Sequence, residues 1–249
     1  DSHWLTEARL KGAKTVAVTV EYSATATKCD DVIVIRPGTD PAFALGLAQV
    51  MIQEKRYNAD FVKRYTDLPA LVRMDTLERL KASDVFAGHK DAESKNWTHV
   101  VHKGEPVPPT VKQNATYVAD YIAKEFADFV VWDAKAKAPV AITRDQLGEH
   151  FAKLNIDPAL TGTFKMKTVD GKSIEVRPVF DLTKQYLDAN MTPDKVEKVS
   201  WAPKKATVQL ARDIAASQGR TLIACGMGPN QFWNNDNKDR ALFLVLALA

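Results

Sequence analysis

Three short clusters hold the residue types that could do chemistry. The first is Glu21-Tyr22-Ser23, which follows the β-branched run Thr15-Val-Ala-Val-Thr-Val20. A carboxylate just past a strand can accept hydrogen bonds from a pair of ribose hydroxyls, and a solvated loop acid explains the same residues. The second is Arg36-Pro37-Gly38-Thr39-Asp40. Here Gly38 lets the backbone approach a ligand, a following helix offers free N–H groups, and the Asp40 carboxylate can take both N–H donors of a guanine edge. A plain helix start, with Asp40 as N-cap and Pro41 at the first helical position, is the competing explanation.

The third cluster is Gly226-Met227-Gly228-Pro-Asn230-Gln231-Phe-Trp233-Asn-Asn-Asp236, which follows the apolar run Thr221-Leu-Ile-Ala-Cys225. Two glycines and several carboxamides at a strand end make a hydrogen-bonding wall suited to a polar or anionic ligand. An ordinary loop whose Asn residues cap the next helix would look similar. Four Asn and one Gln within residues 230–237 favour the ligand. His99-Val-Val-His102 has a metal-like spacing but lies in a Pro-rich stretch with no third ligand nearby, so a metal site is not expected there. No Ser-His-Asp, Cys-His, P-loop or GxGxxG pattern accompanies the three clusters.

The elements that must hold these clusters read as α/β. Residues 15–20 and 31–35 are β-branched strands, and residues 42–55 carry Phe43, Leu45, Leu47, Val50, Met51 and Ile52, as a helix on a sheet does. Strands alternating with helices predict a parallel sheet. Helices are predicted over 4–10, 60–65, 70–80, 143–154 and 204–218, with another opened by Thr192-Pro193-Asp194. Helical spacing also marks 116–129, which leads into strands at 129–132 and 139–142. The alternating segments around Asp170-Gly171 predict a hairpin near 163–177. Residues 221–225 read as a buried strand, and 87–112 as an irregular surface excursion. The chain thus divides into 1–56, an α/β segment, 57–200, a mixed α+β insertion, and 201–249, the start or return of a second α/β segment. These would be parts of two adjacent Rossmann-like domains.

Composition narrows the classes. Of the 249 residues, 45% are hydrophobic and 26% charged, which is ordinary for a folded chain. Thirty-four Lys and Arg are interspersed with 31 Asp and Glu, so no basic stripe marks a nucleic-acid partner. No apolar run reaches the roughly 20 residues that span a bilayer. Two widely separated cysteines make neither a disulfide framework nor a metal motif. The opening helix and the terminal apolar run 241–249 suggest a piece of a longer polypeptide, whereas a self-contained nucleotide- or solute-binding module should be complete in itself.

Taken together and in order, these segments resemble the molybdenum bis-pterin-guanine-dinucleotide oxidoreductases, the dimethyl-sulfoxide-reductase superfamily. The resemblance rests on Glu7-Ala-Arg-Leu-Lys-Gly-Ala-Lys-Thr-Val-Ala-Val18, Cys29-Asp-Asp-Val-Ile-Val-Ile-Arg-Pro-Gly-Thr-Asp40 with the helix after it, and Cys225-Gly-Met-Gly-Pro-Asn-Gln231. Tyr65-Thr-Asp-Leu-Pro69, Phe180-Asp-Leu-Thr183 and the 230–240 run look like the catalytic alpha subunits of respiratory nitrate reductase and nitrite oxidoreductase. Gly228-Pro-Asn-Gln-Phe-Trp-Asn-Asn-Asp-Asn-Lys-Asp-Arg240 is most similar to the nitrite oxidoreductase branch.

The resemblance implies that 1–56 is the end of a guanosine-binding α/β domain and 201–249 the start or return of a second, molybdopterin-binding α/β domain, with a molybdenum bis(molybdopterin guanine dinucleotide) cofactor and interconversion of nitrite and nitrate by oxygen-atom transfer. Nitrate, chlorate, perchlorate or selenate reduction is the alternative. It implies cofactor contacts at Glu21, Tyr22, Ser23, Gly38, Thr39, Asp40, Gly226, Gly228 and Asn230, and substrate contacts at Asn230, Gln231 and Trp233, with no metal ligand in this chain. Family members commonly have Asp-Pro where this chain has Glu21-Tyr22. A [4Fe–4S] cysteine motif and the aspartate metal ligand, absent from this sequence, are expected in the rest of the subunit, so this piece alone is expected to be inactive. An iron–sulfur beta subunit and a haem gamma subunit are the implied partners. The periplasm is the implied location, with the cytoplasmic face of the inner membrane as the alternative.

Overall fold

The computed structural model describes residues 2–90, 100–102, 116–118, 128–143, 146, 148–233 and 236–249. In chain order the helices and strands are α1 (Ser2–Leu10), β1 (Val16–Thr19), β2 (Asp31–Val34), α2 (Asp40–Gln53), α3 (Ala59–Tyr65), β3 (Leu71–Arg73), α4 (Ala82–Val85), β4 (Val100–His102), β5 (Thr116–Val118), β6 (Phe129–Asp133), β7 (Ala138–Ile142), α5 (Gly148–Ala152), β8 (Phe164–Lys167), β9 (Ser173–Pro178), α6 (Val179–Asn190), α7 (Pro193–Ser200), α8 (Lys204–Ala216) and α9 (Asp236–Leu248). The chain is α/β and forms two compact units, Asp1–Phe61 with Thr183–Ala249, and Val62–Leu182.

In the first unit β1 and β2 pair in parallel, with Val16 opposite Asp31 and Thr19 opposite Val34. Their β-branched residues suit the pleated surface. At the amino end of the pair the Asp30 carboxylate accepts the Thr15 N–H and hydroxyl, each at 2.8 Å, and Arg9 Nε at 2.9 Å. Helix α2 is apolar around most of its circumference, as a helix surrounded by others must be. Helices α7, α8 and α9 all pack on it. Gly46 permits the closest approach, because a Cβ there would lie 2.7 Å from Val196 of α7. Glu54, just after α2, holds Arg212 of α8 in a forked ion pair at 2.6–3.2 Å.

The second unit has a three-stranded antiparallel sheet in the order β3-β9-β8 and an antiparallel β6-β7 pair. The hairpin at 163–177 forms as its alternation predicts, with Gly171 at φ 84° in the turn. Leu71, Leu80, Ala82, Val130, Met166, Ile174 and Val176 make its core, and Trp132 stacks on Phe164 at 4.4 Å between ring centres.

Several sequence expectations are corrected. Residues 70–80 form β3 and a tight return instead of a helix: Leu80 N–H donates to Leu71 O at 2.8 Å and Arg73 N–H to Glu78 O at 2.9 Å. Leu71, Val72 and Leu80 are buried by a folded-back strand, which spaces apolar residues much as a short helix does. The described start of 116–129 is β5, paired in parallel with β4, and Phe129 opens β6; residues 119–127 lie outside the described residues. Residues 221–225 form no strand, and Leu222 is 90% exposed. A β-rich run becomes a strand only when another strand supplies its hydrogen bonds, and none of the described strands pairs with it.

Candidate functional site

Parallel pairing puts the exits of β1 and β2 at the same edge of the sheet, so the first two clusters share that edge by construction. After β1, Thr19 Oγ1 donates to Glu21 O at 2.8 Å and fixes the turn. Ser23 is half-buried; its hydroxyl accepts the Ala26 N–H at 3.3 Å and so starts a short 3₁₀ turn. The Glu21 carboxylate and the Tyr22 hydroxyl are exposed and have no partner among the described residues.

After β2 the ladder continues one step, Ile35 N–H to Thr19 O at 2.8 Å, and Arg36 N–H then reaches Ser200 O at 2.7 Å. The Arg36 guanidinium lies 5.7 Å from the Trp201 ring centre, a cation–π distance. Gly38 takes φ 76°, which a side chain would resist. Thr39 is the N-cap of α2 and its hydroxyl donates to Arg36 O at 2.6 Å, leaving no side-chain cap on the helix.

Asp40 is therefore the first residue of α2 and not its cap. The tight Arg36–Thr39 turn moves the cap back by one residue. The half-buried Asp40 carboxylate has no hydrogen bond or ion pair among the described residues, and it sits at the positive end of a 14-residue helix.

The third cluster forms a short 3₁₀ turn, Gly228–Gln231, with Asn230 N–H on Met227 O at 2.9 Å. Gly226 and Gly228 face open space, so a Cβ on either would meet nothing among the described residues. Gln231 is exposed with no side-chain partner among the described residues, and Trp233, 90% exposed, stands on the rim. Phe232 brings this loop to the second cluster: a Cβ on Gly38 would lie 3.3 Å from its ring.

Sequence reasoning passed over Lys238. In the first turn of α9 a lysine reads as a solvent-facing residue, yet its side chain is 2% exposed. Nζ donates to Asn230 Oδ1, approaches Asp239 Oδ1 at 3.1 Å and Cys225 Sγ at 3.5 Å. Burial works against its charge, but the contacts with Asp239 and Cys225 outweigh it and hold the ammonium above the ordinary lysine range. No local sequence signal marks this burial, which depends on the 225–230 loop folding over the start of α9. Among the described residues no group of three His, Cys, Asp or Glu could hold a metal; His99 lies outside them.

The arrangement is suited to a polar ligand: past the carboxyl ends of the parallel pair β1 and β2 lies a carboxylate at a helix start with no partner among the described residues, and Phe232 brings to it a loop of glycines opening on space and exposed carboxamides. The chain is 37% identical over 255 residues to the perchlorate reductase subunit alpha of Dechloromonas aromatica (strain RCB), covering 100% of this chain and 25% of that protein. It is 27% identical over 303 residues to the respiratory nitrate reductase 1 alpha chain of Escherichia coli (strain K12), covering 99% and 24%. With the chlorate reductase subunit alpha of Ideonella dechloratans it shares 28% over 250 residues, covering 100% and 23%. No protein-family model matches. The chain is a homologue of the alpha subunits of these molybdenum oxidoreductases, and spans about a quarter of the length of the curated relatives it matches.

Proposed function

We propose that the chain is part of the catalytic alpha subunit of a molybdenum oxidoreductase that interconverts nitrite and nitrate. The observation that carries this reading is the junction of Gly38 and Phe232, which joins a carboxylate suited to a guanine edge to a loop of amides suited to an oxyanion. The similarity of the Gly228 to Arg240 run to the nitrite oxidoreductase branch supports the choice of nitrite.

The residues fit a guanine dinucleotide. Asp40 has two free acceptor oxygens for the guanine N–H donors, with Gly38 and Thr39 beside it, and Glu21 can accept ribose hydroxyls with Tyr22 and Ser23 near it. Gly226 and Gly228 leave room for a phosphate or pterin against the backbone. Bound bis(molybdopterin guanine dinucleotide) would supply the two-electron exchange of an oxygen atom with the substrate. Asn230 and Gln231 donate neutral N–H groups to the oxyanion, and Trp233 narrows its entrance. Several modest hydrogen bonds suit an anion that must bind and then leave. A [4Fe–4S] cluster elsewhere in the subunit, an iron–sulfur beta subunit and a haem gamma subunit would carry the electrons, on the periplasmic side of the membrane.

A second reading, reduction of perchlorate or chlorate, is favoured by the 37% identity to a perchlorate reductase alpha subunit. The full-length enzyme with its partners distinguishes them. Nitrite oxidation exceeding perchlorate and chlorate reduction, with molybdenum and guanine present, is the expected result. The reverse ranking selects the second reading, and guanine-nucleotide binding without redox turnover would replace both with a binding module.

A further inference from the structure

Lys238 occupies an unfavourable place for a lysine. It is buried, and it lies in the first turn of a helix, where the helix dipole repels a cation. What makes the position tenable is that its three N–H bonds meet three acceptors, Asn230 Oδ1, Asp239 Oδ1 and Cys225 Sγ. An ammonium group only donates. The Asn230 carboxamide must therefore turn its oxygen inward, and its –NH₂ is left facing away from Lys238. That –NH₂ has no partner among the described residues, and Asn230 is exposed.

We infer that Lys238 is a positioning residue, which locks the Asn230 carboxamide with its two N–H donors turned outward to the oxyanion. Without the lysine the amide can rotate and present its oxygen, which repels an anion. The charge stays behind the loop, matched by Asp239, so the substrate meets neutral donors whose direction is set by a cation it does not touch. The inference rests on the oxyanion reading above.

The test uses the full-length holoenzyme with Lys238→Met, Asn230→Ala, the double variant and Asn230→Asp. Lys238→Met should raise the oxyanion KM roughly tenfold, the scale of one lost hydrogen bond, with kcat and the molybdenum and guanine contents near wild type. The double variant should have the KM of Asn230→Ala alone. Asn230→Asp keeps an acceptor for Lys238 but replaces the outward donors with a carboxylate oxygen that repels an anion, and should raise KM at least as far as Asn230→Ala even if Lys238→Met fails to fold. A wild-type KM in Lys238→Met or in Asn230→Asp, or multiplied effects in the double variant, would overturn the inference. If the wild-type enzyme turns over no oxyanion, the functional reading fails instead. The orientation is then judged in a crystal structure of the full subunit, where an Asn230 oxygen turned away from Lys238 would refute it.

Discussion

Phe232 lies so close to Gly38 that a side-chain carbon on the glycine would sit 3.3 Å from the ring. Gly38 also holds φ 76°, so Gly38→Ala meets two penalties, a left-handed backbone and a ring that must move. The cost is about 1–3 kcal/mol. Gly228→Ala, in open space and without positive φ, should leave thermal stability unchanged while lowering guanine content if a cofactor lies against that backbone. Thermal-shift and cofactor measurements on both variants check this; equal stability losses would show that the two glycines do the same structural work.

Asp40 should separate cofactor loading from folding. Because Thr39 is the cap and the carboxylate is unpaired, Asp40→Ala gives up only the favourable dipole interaction, about 0.3–1 kcal/mol. If the carboxylate holds a guanine edge, the lost charge-assisted bonds cost about 1.5–3 kcal/mol each, and guanine and molybdenum contents fall in both Asp40→Ala and Asp40→Asn. Full contents in both would leave Asp40 a charge at a helix start.

Gln231→Ala should leave loading intact and weaken turnover of the oxyanion, one removed donor costing roughly 1–3 kcal/mol. The exposure of Gln231 and the absence of a partner for it among the described residues mean that folding has little to lose. Steady-state kinetics of the full enzyme decide it; unchanged values would make the amide a bystander.

Asp30 gives a pH prediction. Hydrogen bonds from the Thr15 backbone and hydroxyl and from Arg9 lower its pKa from 3.8 to about 2. The fold thus favours the ionised form. Its contribution is complete above the unfolded value of about 3.9 and is lost as the pH falls through about 2. Asp30→Asn should flatten the acid limb of the stability curve in that window, as read by circular dichroism. A limb as steep as the wild type's would show that Asp30 does not contribute to acid unfolding.

Where each neighbour in sequence was also a neighbour in space, the sequence was readable. The β-branched runs became β1 and β2, and Asp170-Gly171 turned a hairpin because the turn residues and the alternation agree. Leu71, Val72 and Leu80 misled because burial by a folded-back strand imitates a helical face. Residues 221–225 misled because a strand depends on a distant partner that local preference cannot reveal. The three clusters were visible as residue types. The contact between Gly38 and Phe232 and the lysine under Asn230 arise from tertiary packing alone, so no spacing announced them.

Helices α8 and α9 both rest on α2, so the span of residues 217–235 has its two footings on one pier. Changes of length or chemistry within that span can alter the rim without moving Asp40, whose position is set by α2. The span is accordingly a natural graft point. Exchanging it for the corresponding stretch of a perchlorate or nitrate reductase, with Phe232 kept as the stitch to Gly38, would ask of the rim alone what the scaffold beneath it leaves open.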